Sequence, residues 1–516
     1  MWKAAVSVLL LLLNMDMQVN GAAGEAGGSV AGGPGPETKL KAAEAEAANT
    51  IPASDTAPAG FLGNLLVVPM DGSHWVGIKA IAEEMGRRGH KVTVVIPEIS
   101  VRMGPGKHYE TVTFPVPYDK AHLDFVMAVH KDVLRKSTQS FIQNIKAKYS
   151  QIMRITGFIH TTAESLLFND SLISHLAQQN FDAVLTDPMI PSGSLIARKL
   201  GLPTINLLRG IPCSLDMKSA GCPSPPSYVP RFLTKYSHVM NFKERTVNTL
   251  VALLEPLLCR LMYWYFDQIA YRFLGEEVGV AEVLSESAIW LLRMDFTLEF
   301  PRPIMPNVVL VGGINCNVRN PLPEVIWRYT GKVPDRVPEN VKFMTWVPQN
   351  DLLAHSGARA FITHAGSHGL FEGLCHAVPM LMMPLGGDQP DNAERLASRN
   401  AGLVLDITTI STESLLQGLN AVINDTRYKE NMKKLSALHK DRPVDPLDLS
   451  VYWTEHVMRH KGAKHLRWAG RGLNVLQYFS LDVIALLATV VLVFVILLVK
   501  CLKLFIRKVG RKRKQE

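Results

Sequence analysis

Between Asn64 and Val404 the chain repeats one pattern: a short aliphatic or β-branched run, a polar loop, then apolar residues at helical spacing. "NLLVVPM", "KVTVVIP", "FDAVLTDPMIP", "GLPTINLL", "AIWLLRM" and "NVVLVGGI" supply the runs of the first half. The amphipathic stretch "VGIKAIAEEMGRRG" separates the first two, after a turn read at "DGSHW". Runs apolar at every position suit strands covered on both faces, so the pattern predicts a parallel sheet with helices on either side, a doubly wound α/β unit over residues 61–316. "VKFMTWVPQNDLLAH", "FITHAGSHGLFEG", "VPMLMMPLGGDQPDNAERL" and "AGLVLDI" repeat strand, polar loop and helix, which predicts a second α/β domain over residues 325–465.

The ends break the pattern. Val483–Val499 is uncharged, with Thr489 its polar member, and reads as a bilayer span. The basic residues that follow place the tail (500–516) in the cytosol and the bulk on the far side. "VSVLLLLL" behind Lys3 is too short to span and reads as a signal peptide, taken as residues 1–24. Residues 25–60 are rich in Ala and Gly and predict a flexible segment. Lys512 and Lys514 stand in the register of a dilysine retrieval signal, so the expected location is the endoplasmic reticulum membrane, single-pass type I, with the bulk in the lumen. Asn169 in "NDS" and Asn424 in "NDT" are then candidate glycosylation sites.

The formal net charge of +9 would suit nucleic-acid binding, but eight Lys or Arg and one Glu fall between Lys500 and Glu516. The basicity is a tail and not a surface, so no nucleic-acid partner is expected. Five cysteines precede the span and none form a CxxC pair, which supports neither a disulfide framework nor a zinc site.

The chemistry sits in the loops. His74 follows the first strand and Asp187 follows the strand at Ala183–Thr186; both lie at the carboxyl edge, where open α/β sheets bind ligands. A histidine oriented by a carboxylate is a general base for a hydroxyl. A histidine that only caps its helix and a "TDP" that only turns the chain would leave the same spacing. In the second half, Gly366 and Gly369 open a helix where free amides and the helix dipole favour an anion such as a diphosphate, with His364 and Ser367 as further donors. Glu372 is placed for a sugar diol, Asp388 and Gln389 for a second set of hydroxyls, and Trp346 for stacking on a base.

"WVPQNDLLAH", "FITHAGSHGLFEG" and "PLGGDQPDNAERL" resemble the nucleotide-sugar signature of the UDP-glycosyltransferases. With "DGSHW", "PRPIMPNVVLVGGINC" and the anchored basic tail, the chain is similar to the vertebrate UDP-glucuronosyltransferases of family one. That resemblance implies two Rossmann-like doubly wound domains facing a cleft (GT-B type), the first binding the acceptor and the second the UDP-sugar. It implies inverting transfer of glucuronic acid from UDP-glucuronate to a lipophilic hydroxyl acceptor, with no metal or other cofactor, and homo- or hetero-oligomers with related transferases. His74 takes the role of the base and Asp187 of its orienting acid. Trp346 and Gln349 match the uracil platform, and His364, Gly366 and Ser367 the diphosphate cradle. Glu372 matches the ribose clamp, and Asp388 and Gln389 the contacts to the donor sugar.

One departure stands out. Relatives place a strand, a glycine loop and a helix between the text resembling "VGGINC" and that resembling "VIWRYTGKVP"; here only "NVRNPLPE" lies between Cys316 and Val325. A βαβ unit needs about 30 residues or more, so the opening strand of the second domain is expected to be missing. Neighbours of a lost central strand keep unpaired backbone groups at about 1–3 kcal/mol each, which a domain stable by about 5–15 kcal/mol cannot absorb several times over. The forecast is weak or absent turnover. Two alternatives stay open: a catalytically inactive anchored variant that modulates full-length transferases by oligomerising, and a transferase using another UDP-sugar.

Overall fold

The computed structural model describes residues 61–127, 141–232, 234–316, 326–328, 337, 342–344 and 347–512. The expected signal peptide (1–24), the Ala/Gly-rich segment (25–60), the stretch 317–324 and Trp346 lie outside the described residues. Two compact units are present, Met1–Leu466 and Arg467–Glu516.

The first unit is built on a seven-stranded sheet of order β3-β2-β1-β4-β5-β6-β7. Its strands are β1 (Asn64–Val68), β2 (Lys91–Pro97), β3 (Glu110–Phe114), β4 (Ala183–Thr186), β5 (Thr204–Leu208), β6 (Ile289–Leu292) and β7 (Val308–Leu310). Every pairing is parallel. Strand side chains alternate between faces, and here both faces are buried. Leu66, Val68 and Val184 join one core with Phe266 and Phe273, while Leu65, Val67 and Leu185 join another with Trp75 and Ile78. The latter also takes Val451, Val457 and Met458 from α7 (Pro446–His460), so the first sheet completes its core with residues from the far end of the unit. His90 ties α7 down, its Nε2 lying 3.2 Å from Glu455 while its Nδ1 accepts from Gly63 N–H at 3.0 Å.

Helix α1 (Ser73–Arg87) begins inside the stretch read as a turn, so His74 stands in its first turn. Gly72 before it takes φ 80°, the left-handed region that suits glycine. Asp71 accepts from the N–H groups of Gly72 at 2.6 Å and Arg102 at 3.0 Å, which fastens a neighbouring loop over this corner. The long helix α3 (Phe242–Leu274) turns Tyr263, Phe266 and Ile269 inward and leaves Leu253 and Leu257 exposed, as a helix packed on a core does.

The second half carries two separate sheets: β8 (Ile326–Arg328) with β9 (Lys342–Met344), and β10 (Phe361–Thr363), β11 (Met380–Met382) and β12 (Gly402–Val404) in the order β10-β11-β12. In the first sheet, β1 has β2 on one side and β4 on the other. By the same order, β9-β8 and β10-β11-β12 are the two flanks of a sheet whose first strand would lie between them. Among the described residues nothing pairs with the outer edge of β10, and Ile362 at its centre is 45% exposed, whereas Leu66 in β1 is fully buried.

Two disulfides join Cys213 to Cys259 and Cys316 to Cys375, pairings for which the cysteine spacing gave no support. The partners are 46 and 59 positions apart, a proximity that tertiary folding creates and spacing does not announce. Beside the second bond, Asp295 behind β6 lies 2.6 Å from His439 Nδ1 and 2.7 Å from Arg442 Nη2, both from the second half.

The remaining unit contains α8 (Leu481–Lys512), whose apolar stretch Leu481–Leu504 is long enough to cross a bilayer and has none of its surface buried by protein. Asn169 caps a helix, accepting from Leu172 N–H, and Asn424 is exposed at the end of another.

Burial would raise the Asp295 carboxyl, but hydrogen bonds from His439 and Thr297 outweigh it and hold the group at about 2. A carboxylate held below its ordinary value stabilises the fold above that value and loses the contribution as pH falls through it. Asp295→Asn should cost about 2 kcal/mol in urea unfolding at pH 7, and should remove the part of the acid sensitivity seen as pH falls from about 4 to about 2.

Candidate active site

The β1–β4 pairing makes the site. Val68 and Thr186 are register partners, and Thr186 Oγ1 donates to Val68 O at 2.7 Å. The residues just beyond these two strand ends are therefore neighbours, although 113 positions separate His74 from Asp187. Asp187 Oδ2 lies 2.6 Å from His74 Nδ1, and its Oδ1 accepts from Met189 N–H at 2.9 Å. The carboxylate is fully buried and the imidazole side chain keeps 22% of its surface open. With Nδ1–H given to Asp187, Nε2 is left to accept a proton.

His74 opens on a cavity of about 900 Å³, lined also by Gln349, His364, Gly366, Ser367, Glu372, Asp388 and Gln389. All the sequence-predicted site residues within the described range thus meet at one cavity, with Asp187 behind His74. Ile211, Met217 and Phe232 add apolar lining from the Pro- and Ser-rich stretch after β5.

Helix α5 (Ser367–Cys375) follows β10, and helices α4 (Gln349–Ala354) and α6 (Gln389–Ala397) flank it. Its entry turns through Ala365, a buried residue at φ 62°, a conformation rare for anything but glycine. A side chain on Gly366 would meet His364 Nε2 at 2.7 Å, so this glycine makes room for the imidazole that lies over the turn. Gly369 lines the cavity too, and an added Cβ on it would come within 3.2 Å of Phe361 and 3.3 Å of Gln349 Nε2. Gln349 Nε2 donates to Glu372 Oε2 at 2.6 Å, joining two residues singled out separately in the sequence. Burial raises the Glu372 carboxyl above the usual range, an effect Gln349 partly offsets. Gln389 Oε1 accepts from Leu385 N–H at 2.7 Å and Gly386 N–H at 3.2 Å, and Asp388 Oδ2 accepts from Asn392 Nδ2 at 2.8 Å.

Sequence reading missed the residues that hold the cavity walls together. Asn392, fully buried, also donates to Ala365 O at 3.0 Å and accepts from Arg209 Nη2 at 2.8 Å. Glu299 lies 2.5 Å from Arg209 Nη1 and 3.0 Å from Arg395 Nε. Burial works against its ionisation, but the two guanidiniums hold its carboxyl below the usual range. The one available signal was Asn392 standing a helical turn beyond Asp388. Arg209 and Glu299 carried none. His368, the second histidine of "HAGSHG", reaches across to the first half, its Nε2 2.7 Å from Ser73 O. Cys316, Cys375 and His439 cluster as metal ligands do, but both sulfurs are spent in the disulfide and Arg442 Nη2 lies 3.1 Å from His439 Nε2.

A family model described as "UDP-glucoronosyl and UDP-glucosyl transferase" matches in two segments, residues 63–326 and 323–516. Mouse (Mus musculus) UDP-glucuronosyltransferase 1A1 is 41% identical over 487 residues, 86% of this chain and 91% of the relative. Human (Homo sapiens) UDP-glucuronosyltransferase 1A6 is 42% identical over 493 residues, 87% of this chain and 92% of the relative. Because 86% of 516 residues falls short of 487, the mouse relative carries residues without a counterpart here. Among solved structures, the spinosyn forosaminyltransferase SpnP superposes with a TM-score of 0.50 at 17% identity, covering 77% of this chain and 99% of that one. The chain is therefore a GT-B UDP-glycosyltransferase, and it belongs to the UDP-glucuronosyl and UDP-glucosyl transferase family as a family-one-like member.

Proposed function

We propose that this chain's chemistry is transfer of glucuronic acid from UDP-glucuronate to the hydroxyl of a lipophilic acceptor, with inversion. The observation that carries the reading is the His74–Asp187 dyad, 2.6 Å across, on the rim of a cavity whose opposite wall is the α5 turn. His74 Nε2 removes the acceptor proton, and Asp187 holds the imidazole in the required tautomer and balances its positive charge. The acceptor oxygen attacks the anomeric carbon from the face opposite the diphosphate, so a single displacement inverts it. Charge developing on the departing UDP is met by the free amides at the start of α5, with His364 and Ser367 beside them. Glu372 and Gln349 suit the ribose and uracil, with Trp346 as the stacking face. Asp388 and Gln389 suit the sugar hydroxyls. Apolar lining by Ile211, Met217 and Phe232 favours a lipophilic acceptor.

The second reading concerns competence. The open edge of β10 and the junction of the two-segment family match fall where a strand-loop-helix unit is wanting, and the mouse relative carries residues without a counterpart here. We infer that turnover by this chain is weak or absent, and that its alternative role is to modulate full-length transferases by oligomerising with them. The apolar helix before the basic tail supports anchoring in the endoplasmic reticulum membrane as a type I protein, with the catalytic unit in the lumen.

Assayed with UDP-glucuronate in microsomes, this chain should turn over at least about 10-fold more slowly than a version carrying a strand-loop-helix unit after Cys316, and equal rates would refute the inference. In the restored version, His74→Ala should lower kcat by about 10²–10⁴-fold, the usual span for a general base, with Asp187→Asn in the same direction. Retained turnover in His74→Ala would remove the dyad from the mechanism. Competition by UDP-glucose or UDP-galactose over UDP-glucuronate would show a different donor.

A further inference from the structure

The geometry points to Arg293 as the receptor for the donor's diphosphate, a full positive charge supplied by the acceptor-side wall to an anion resting on the α5 turn. This rests on the UDP-sugar reading above and adds a residue to it.

Arg293 directly follows β6, and its own N–H donates to Leu208 O at 2.7 Å, which fixes where the side chain leaves the sheet. The residue is 5% exposed, yet it lines the cavity. It passes along α1 at Gly77, where an added side chain would come within 3.3 Å of Arg293 Cδ. Its Nη1 meets His368 Nε2, in the first turn of α5.

That contact does not satisfy it. His368 Nε2 lies 2.7 Å from Ser73 O, which only accepts, so Nε2 carries the hydrogen. Nδ1 faces the Asn315 amide nitrogen at 3.3 Å, which only donates, so Nδ1 is the acceptor. This neutral tautomer agrees with burial and the Arg293 charge pushing the imidazole well below the usual histidine range. Arg293 Nη1 therefore points a donor at a donor, and Arg293 Nε has no hydrogen-bond partner at all.

Nor is the charge balanced. Among the described residues no carboxylate forms an ion pair with Arg293. Asp187 serves His74 and Met189 N–H, and Asp388 serves Asn392. Five further arginines line the same cavity: Glu299 engages Arg209 and Arg395, Glu255 engages Arg231, Arg302 Nη2 donates to Ser224 Oγ at 3.4 Å, and Arg102 belongs to the loop fastened to Asp71. A buried cation without a counter-charge is costly unless something brings one. Burial lowers the Arg293 pKa and outweighs the attraction of Asp187 and Asp388, neither of which is in contact with it. A diphosphate at the α5 turn supplies the missing charge and acceptors together. The helix end alone offers roughly half an elementary charge, too little for the charge that builds on UDP as it leaves.

The test uses the full detergent-solubilised chain as wild type, Arg293→Met and Arg293→Gln, with melting followed without ligand and with UDP, inorganic pyrophosphate or uridine. Expected are a wild-type melting shift with UDP and pyrophosphate, variants that melt at or above the wild-type temperature without ligand, and UDP and pyrophosphate binding about 10- to 100-fold weaker in both. Uridine should not distinguish the three chains. Both variants melting lower than wild type, or keeping the full diphosphate shift, would make Arg293 a structural residue and overturn the inference while leaving the donor reading intact. Weakening confined to UDP-glucuronate with UDP-glucose and UDP unaffected would assign the charge to the uronate carboxylate and equally overturn it. A pyrophosphate shift that needs Arg293 without any gain from uridine would uphold this residue and sink the UDP-sugar reading; no shift with either probe would sink both.

Discussion

A central strand in a doubly wound sheet must satisfy two hydrogen-bond ladders at once, and the organisation of this protein follows from meeting that demand in one half and not in the other. In the first half β1 pairs with both β2 and β4, is buried on both faces, and delivers His74 beside Asp187. The same constraint applied to the second half leaves β8–β9 and β10–β12 as separate ladders. Backbone donors and acceptors along an unpaired inner edge have only water or irregular partners, and the surrounding side chains lose their cover. Ile362 shows that loss directly. The chain thus holds a continuous seven-stranded sheet in its first half and two separate short sheets in its second.

Much of this was legible in the residues. Strands apolar at nearly every position, such as "KVTVVIP", suit burial on both faces, and β2 occupies Lys91–Pro97, buried at every position after Lys91. The loops behind those strands carried the chemistry because the parallel arrangement gathers their ends at one edge, which is why His74, Gln349, His364, Glu372 and Asp388 line a common cavity. What stayed hidden depends on contacts between remote segments. Neither Glu299 nor Arg209 has a local pattern announcing a buried ion pair, and the cysteine pairings arise from where helices pack.

Polar contacts join the two halves alongside the apolar cores they share through α7 and Leu298. Glu299 is clamped between guanidiniums from opposite walls, Asn392 joins Arg209 to Ala365 and Asp388, and Asp295 engages His439 and Arg442. Removing one member of such a buried set is more damaging than never having built it, because the others are left charged and dry. The same elements carry cavity-lining groups: α6 bears Arg395, and Asp388 and Gln389 stand at its start.

Helix α7 has a bearing on how the molecule is made. The first sheet lacks part of its lower core until Val451, Val457 and Met458 arrive. On a ribosome adding about 5–20 residues per second, roughly 20 to 80 s elapse between the appearance of β1 and the arrival of that helix. Through that interval part of the nascent sheet's aliphatic face, beyond what α1 covers, stays open to water.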